Sequence, residues 1–310
     1  MELRQIRYFV GVCEAGSLLK ASARLHIAQP ALGQQMTDLE HHLGAKLFVR
    51  TSRGMVLTDA GRQFLEHAKV LLADVERARS AVHALSSSPQ GDVVIGLPTT
   101  VALAVTVPLL QACRERYPNV RLKIVEAYSG FLGEWLRSGR LDSAILFGDA
   151  PEVGLAKEAL LDEQLALVTV HGGRALPKQV PLKRLVHWPL ILPGREHGLR
   201  RIIDEACAAE SLTLDVVAEI DSLTSVKRAV EAGVGSTVLS LASVSEEVHA
   251  GRLQAATITS ANTSRRVVCA THMARPSTVA GTAVTRLLTE AIRGLVQTGT
   301  WPARLVKPAG

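Results

Sequence analysis

Along the first sixty residues the apolar positions recur at helical spacing. Leu3, Ile6, Phe9, Val10 and Cys13 fall on one face and Gly16 supplies a stop, which predicts a first helix. Ser17 is placed to cap a second helix running to about Leu25, where Ala21, Ser22 and Ala23 permit close packing. A third helix is expected from Gln29-Pro30, because proline loses nothing in a first turn whose N–H has no intrahelical partner. Its buried stripe is expected to be Ala31, Leu32, Met36, Leu39 and Leu43, with Gln29, Gln34, Gln35 and Thr37 facing outward. Two helices joined by a tight turn, the second presenting uncharged amides, describe a helix-turn-helix. Such amides suit adenine edges in a major groove, and hydroxyls suit phosphate oxygens. Lys46 to Thr58 then read as two short strands around a turn bearing Arg50 and Arg53, a wing able to lie along a phosphate backbone.

Thr58 is placed to cap the next helix, expected to run to about Leu85. Phe64, Ala68, Leu71, Val75, Ala78, Val82 and Leu85 alternate steps of four and three, the pattern of a coiled-coil dimer seam. Charged residues such as Arg62, Glu66, Lys69 and Asp74 lie off it. Ser86 to Gly91 reads as a hinge, too rich in Ser, Pro and Gly to continue a helix. Beyond it, short β runs alternate with helical stretches, the signature of an α/β domain. Strands at Val93–Leu97, Arg121–Val125 and Asp142–Phe147 enclose helices near 101–116 and 130–138. A second round follows, with strands at Pro189–Leu192, Val216–Ile220 and Ser236–Leu241 around helices 198–210 and 223–232. Two similar sheets facing each other make a cleft, with strands in 155–170 and 253–271 crossing between the lobes and 279–297 as a closing helix.

Composition narrows the function. The chain has 310 residues, 47% hydrophobic, 21% charged and 4% aromatic, an ordinary soluble balance. No apolar run approaches the roughly 20 residues of a membrane span, and the N-terminus lacks an apolar signal core. A cytoplasmic protein without a membrane partner is expected. The net charge is only +6 and is densest in the first quarter, where a polyanion would bind. Cys13, Cys113, Cys207 and Cys269 lie far apart with no CxxC, so buried free thiols are expected and no metal or cofactor. The nucleophile-elbow, phosphate-loop and zinc-protease motifs are all absent. No catalytic residue is assigned, since His171, His197 and Cys207 would meet only by accident of folding.

Candidate cleft residues are polar groups at strand-to-helix junctions. Thr99, Thr100 and Ser129 stand on one lobe; His197, Ser222 and Thr224 stand on the other. Each has an alternative role as a plain helix cap. Hydroxyls and free N–H groups at helix starts suit a small anion, and Arg195 and Arg200 are either added charge or solvated surface.

The first quarter resembles the LysR-type transcriptional regulators. The match runs from Gly16-Ser17-Leu18 through Gln29-Pro30-Ala31-Leu32, Leu39-Glu40, Leu43-Gly44, Leu47-Phe48, Arg50 and Arg53-Gly54 to Leu57-Thr58-Asp59-Ala60-Gly61. Ala28 and Gly33 depart from the family's usual serines, which removes two hydroxyls from the DNA-facing helix. Within the family, Ile27–Leu32, Val93–Pro98 and Glu219–Thr224 are similar to the nitrogen assimilation control group, whose likeness raises an effector-independent mode of action. The resemblance implies a winged helix-turn-helix over 1–58, a dimerisation linker helix and hinge over 59–91, and a two-lobed, periplasmic-binding-protein-like effector domain over 92–310. It implies a sequence-specific regulator on an interrupted palindromic operator, dimeric or tetrameric, with RNA polymerase as a further partner. Ser17, Gln29, Pro30, Ala31, Gln34, Gln35, Thr37, Arg50 and Arg53 are then the DNA contacts. The competing classes are a transporter's solute-binding protein, which shares the two-lobed domain, and an enzyme using the cleft.

Overall fold

Three helices, α1 (Leu3–Ala15), α2 (Leu18–Leu25) and α3 (Gln29–Leu43), lead into a hairpin of β1 (Phe48–Thr51) and β2 (Gly54–Leu57), then a long α4 (Asp59–His83). They belong to a computed structural model that describes residues 1–51, 54–83 and 88–306, side chains of 50, 76, 77, 79–83 and 261 excepted. The chain divides into two units, Met1–Ser86 and Ser87–Gly310. Gly16 ends α1 with φ 65°, its N–H reaching the Val12 carbonyl, and Gly44 ends α3 in the same left-handed way. Ser17 stands at the start of α2 with extended backbone, but its hydroxyl makes no capping hydrogen bond.

The core of this unit gathers three of the chain's five phenylalanines. Phe9 is fully buried, with Phe48 at 5.2 Å and Phe64 at 5.0 Å between ring centroids, and Leu32, Leu39 and Ala68 close around them. Phe64, expected in the dimer seam, therefore turns into its own domain. Ala31 and Leu43 correct the expected stripe of α3: both are exposed, and Leu32, Met36 and Leu39 alone are buried there. Ala31 lies in the first turn, ahead of the point where α3 meets the core.

Thr58 fixes the base of the hairpin. Its Oγ1 donates to the Lys46 carbonyl at 2.6 Å and accepts from Gly61 N at 2.9 Å, while its N–H reaches Leu47 O at 3.0 Å. On the other strand, Met55 N donates to Gly16 O at 3.0 Å, and a Cβ at Gly54 would lie 2.5 Å from that same oxygen. Glycine is required there for space and for its φ of 118°.

The second unit repeats one pattern. β3 (Gly91–Leu97), α5 (Thr99–Arg116), β4 (Val120–Glu126), α6 (Ser129–Arg137) and β5 (Ser143–Phe147) form the first lobe, its parallel strands ordered β4-β3-β5. A 16-residue strand, β6 (Leu155–Val170), follows, then β7 (Gln179–Pro181). The second lobe has β8 (Leu190–Leu192), α7 (Gly198–Ala209), β9 (Val216–Glu219), α8 (Leu223–Glu231), β10 (Thr237–Ser240) and α9 (Ser245–His249). β11 (Leu253–Thr259), β12 (Ser264–His272), α10 (Val279–Gln297) and β13 (Arg304–Leu305) complete the chain. Here β8 pairs in parallel with β9 and bridges to Ser236 beside β10, so the order 2-1-3 recurs.

The crossing expected in 155–170 is carried by a single strand. β6 belongs to both sheets, pairing through Leu155–Gln164 with β12 and through Leu165–Val170 with β10 and β11. Leu165 to Thr169 are all buried, as a strand covered on both faces requires. Each lobe keeps its own apolar cluster, around Ile191, Ile203 and Val238 in the second and Ile95, Leu109 and Leu288 in the first.

Two glycines of the first unit should respond oppositely to alanine. A Cβ at Gly61 would collide with the Leu47 carbonyl, whereas nothing lies within 4 Å of one at Gly33. Gly61→Ala should cost about 1–3 kcal/mol through forced displacement, and Gly33→Ala should gain about 0.5–1 kcal/mol of helix propensity. Calorimetric unfolding of the full chain checks both, because residues 1–86 contain no tryptophan to report by fluorescence.

Candidate functional site

The exposed edge of α3 is polar and uncharged where it leaves the core. Gln29, Pro30, Ala31, Gln34 and Thr37 are exposed, Gln35 is half-buried, and so is Ser17 at the head of α2. Gln34 donates its amide to Asp38 Oδ1 at 2.8 Å, which leaves its carbonyl oxygen facing out; the Thr37 hydroxyl donates to Gly33 O at 3.1 Å. The wing hairpin pairs Arg50 with Met55 and Val49 with Val56, the two valines about half exposed. Arg53, and the side chain of Arg50, lie outside the described residues.

A residue not anticipated as functional ties helix and wing together. Glu40, in the last turn of α3, accepts from Lys46 Nζ at 2.7 Å, Leu47 N at 2.9 Å and Phe48 N at 3.2 Å. Burial opposes its ionisation, yet these three hydrogen bonds together hold its carboxyl below the usual carboxylate range. The available signal was an acid closing an otherwise amide-rich helix, seven and eight residues before the apolar pair Leu47-Phe48. On α4, Leu71 is exposed, Val75 half-buried and Ala78 exposed; the side chain of Val82, and Leu85, lie outside the described residues.

The second unit holds a cavity of about 1170 Å³ between its lobes, lined by Thr99, Thr100, Ser129 and His197 among others. Thr224 is not among them. Ser222 takes the cap of α8, so Leu223 and Val226 present to the cleft three residues apart while Thr224 rotates into solvent. Asp221 occupies the rim instead, accepting from Gly194 N at 3.0 Å. Arg195 lines the cleft, whereas Arg200 is buried outside it, bound to Asp204, Glu219 and the Pro193 carbonyl.

The two lobes present different chemistry. α7 and α8 are capped by their own side chains, His197 Nδ1 accepting from Leu199 N at 3.0 Å and Ser222 Oγ from Ser225 N at 3.4 Å. α5 and α6 follow Pro98 and Tyr128, which make no side-chain cap, so their first-turn donors open on the cleft. Ser129 and Thr237 line the cavity, and their hydroxyls are buried without a hydrogen-bond partner. From opposite lobes, the rings of Tyr128 and His197 meet edge to face at 4.7 Å. Burial, then Arg265, push the His197 pKa down against the opposing pull of Asp221, which keeps the imidazole neutral; burial and Asp221 raise Tyr128.

At the cleft floor lies a buried pair that sequence reading missed. Arg265 Nε donates to Glu163 Oε1 at 2.7 Å, Trp301 Nε1 to Glu163 Oε2 at 2.9 Å, and Arg265 Nη2 to Thr100 at 3.4 Å. The Arg265 guanidinium also lies 3.6 Å from the centroid of the Phe147 ring. Glu163 and Thr100 are 102 and 165 residues from Arg265 in the chain, and Trp301 is 138 from Glu163, so no local pattern announces the network. Burial pushes the Cys13 and Cys269 thiols up to about 12 and Cys207 to about 11, so these stay protonated at neutral pH. No helix among the described residues is long and apolar enough to cross a membrane.

Comparison with known proteins covers both units. The bacterial regulatory helix-turn-helix family, lysR type, matches residues 3–62, and the LysR substrate binding domain matches residues 86–293. The nitrogen assimilation regulatory protein nac of Escherichia coli (strain K12) is 38% identical over 241 residues, 77% of this chain and 78% of that protein. Its namesake from Klebsiella aerogenes is 39% identical over the same shares. A solved cysteine mutant of OxyR from Corynebacterium glutamicum is similar with a TM-score of 0.62 and 27% identity, covering 96% of each chain.

Proposed function

Because the chain belongs to the LysR family of DNA-binding transcriptional regulators, we propose that it works on an interrupted palindromic operator with α3 in the major groove. The carrying observation is the exposed, uncharged amide edge of α3, with Gln29 offering the bidentate chemistry that suits adenine and Gln34 its carbonyl oxygen. Ser17, Pro30, Ala31, Gln35 and Thr37 shape the same surface, and Arg50 and Arg53 supply phosphate contacts from the wing. Action is in the cytoplasm, with transcriptional output through RNA polymerase.

Self-association supplies the two half-sites. Two apolar faces support it: Leu71 and Val75 on α4, and Leu103, Val107 and Leu110 on α5, all three exposed at spacings of four and three. One face in each unit allows a dimer to pair again into a tetramer. Val82 extends the α4 face by sequence spacing, while Phe64 serves its own core.

The cleft receives a small anion. Thr99, Thr100, Ser129 and the uncapped starts of α5 and α6 supply donors from the first lobe, with His197 opposite. A ligand touching both lobes biases their orientation, and only such differential contact couples it to DNA binding. The Tyr128–His197 contact favours a second reading, in which the protein's own side chains bridge the cleft and no effector is needed.

Gln29→Ala should weaken binding to the operator by about 1–3 kcal/mol while leaving scrambled duplex unaffected; fluorescence anisotropy on both duplexes measures the difference. Leu71→Glu places a charge in the α4 face and should shift sedimentation toward smaller species, because an unpaired buried charge is expensive. Constant mass at micromolar protein would leave α4 outside the interface. For the cleft, a panel of small carboxylates should raise the melting temperature of the parent in a concentration-dependent way. Thr100→Val with Ser129→Ala should abolish that rise and keep DNA binding without ligand. A panel inert toward the parent supports the bridged reading.

A further inference from the structure

We propose that Glu40 is a positioning residue for DNA binding: a carboxylate on the recognition helix that fixes where the wing stands, so that helix and wing engage one duplex together. The inference rests on the reading of α3 and the wing given above. Its geometry is independent of that reading. The α3 helix ends at Leu43 and the first wing strand begins at Phe48, so the intervening turn alone would leave the wing free to swing. Glu40 Oε1 closes that freedom by accepting both N–H groups at the strand's entry, Leu47 at 2.9 Å and Phe48 at 3.2 Å. Leu47 and Phe48 are themselves buried, which makes their unpaired N–H groups costly.

The other strand is held separately, by Met55 N to Gly16 O at 3.0 Å in the turn between α1 and α2. The hairpin is thereby clamped to both halves of the helix-turn-helix, β1 through a side chain of α3 and β2 through the backbone of the turn. The two oxygens of Glu40 have different roles. Oε2 pairs with Lys46, whose side chain is 73% exposed, and surface pairs of that kind contribute little. Oε1 sits with the two backbone donors in a side chain only 10% exposed. Positioning belongs to Oε1, and glutamine can reproduce it with its carbonyl, since the exposed Lys46 ammonium can swing away from the amide.

The test is anisotropy of the full-length protein on operator duplex across salt concentrations, with Glu40→Gln, Glu40→Ala, Glu40→Asp and the pair Arg50→Ala with Arg53→Ala. The arginine pair should flatten the slope of log affinity against log salt by about two contacts. Glu40→Ala should weaken binding about tenfold and flatten the slope toward that of the arginine pair, adding nothing when combined with it. Glu40→Gln should keep the parent slope. Glu40→Asp retains the charge but retracts it by one methylene, and should flatten the slope toward that of the arginine pair even if Glu40→Ala fails to fold. A merely structural role would lower the melting temperature and leave the slope of the folded fraction unchanged, which overturns the proposal. So does a Glu40→Gln variant as defective as Glu40→Asp, or full additivity with the arginine pair. An unchanged slope in the arginine pair itself removes the wing from the interface and takes this inference with it.

Discussion

The second unit is organised by one strand that cannot be divided between its lobes. β6 gives residues 155–164 to one sheet and 165–170 to the other, so the lobes share a continuous backbone ladder where they meet. Relative rotation has to be absorbed near Gln164 and Leu165. Beside that point lies the Glu163–Arg265 pair, both side chains at most 2% exposed and satisfied further by Trp301 and Thr100. A buried charge pair is weak evidence of added stability, because desolvation offsets its attraction, but removing one partner costs several kcal/mol. Its value lies in geometry: it ties β6, β12, the start of α5 and the C-terminal segment to one place beneath the cleft.

The first unit shows a comparable economy. Gly16 closes α1, receives the wing through its carbonyl, and leaves no room for a side chain at Gly54. Thr58 and Gly61 lock the start of α4 onto the Lys46–Leu47 backbone. Recognition helix, wing and the first turns of α4 are therefore hydrogen-bonded into one block, with the Glu40 and Thr58 side chains making the links between elements.

Much of this was legible in the chain because its signals are local. Gly16, Pro30 and Thr58 punctuate helices through φ preference, a missing N–H or a capping hydroxyl, and the structure places the element boundaries beside them. Helical phase was less secure. Thr224 missed the cleft because the cap fell to Ser222, and Phe64 turned inward because two other phenylalanines were waiting for it. Ala31 and Leu43 satisfy the period of α3 but lie beyond the ends of its core contact. The Arg265–Glu163–Trp301 network was illegible for a different reason. Its members meet only after the chain has crossed between lobes and returned, and no spacing rule spans that distance.

That crossing has a further consequence, for the order in which the protein is made. The strands and helices of the second lobe lie within one stretch, Leu165 to Thr259. The first lobe is split around it: β5 pairs with β12, whose residues lie about 120 positions later, and α10 and Trp301 complete its core only at the end of the chain. Closing so long a loop is entropically slow, and contiguous contacts form sooner. During synthesis, the lobe encoded second has all its parts before the lobe encoded first, whose sheet lacks its fourth strand until residue 272 has emerged. Any chain stopped between those points presents an open edge at β5, the kind of unpaired strand through which nascent proteins aggregate.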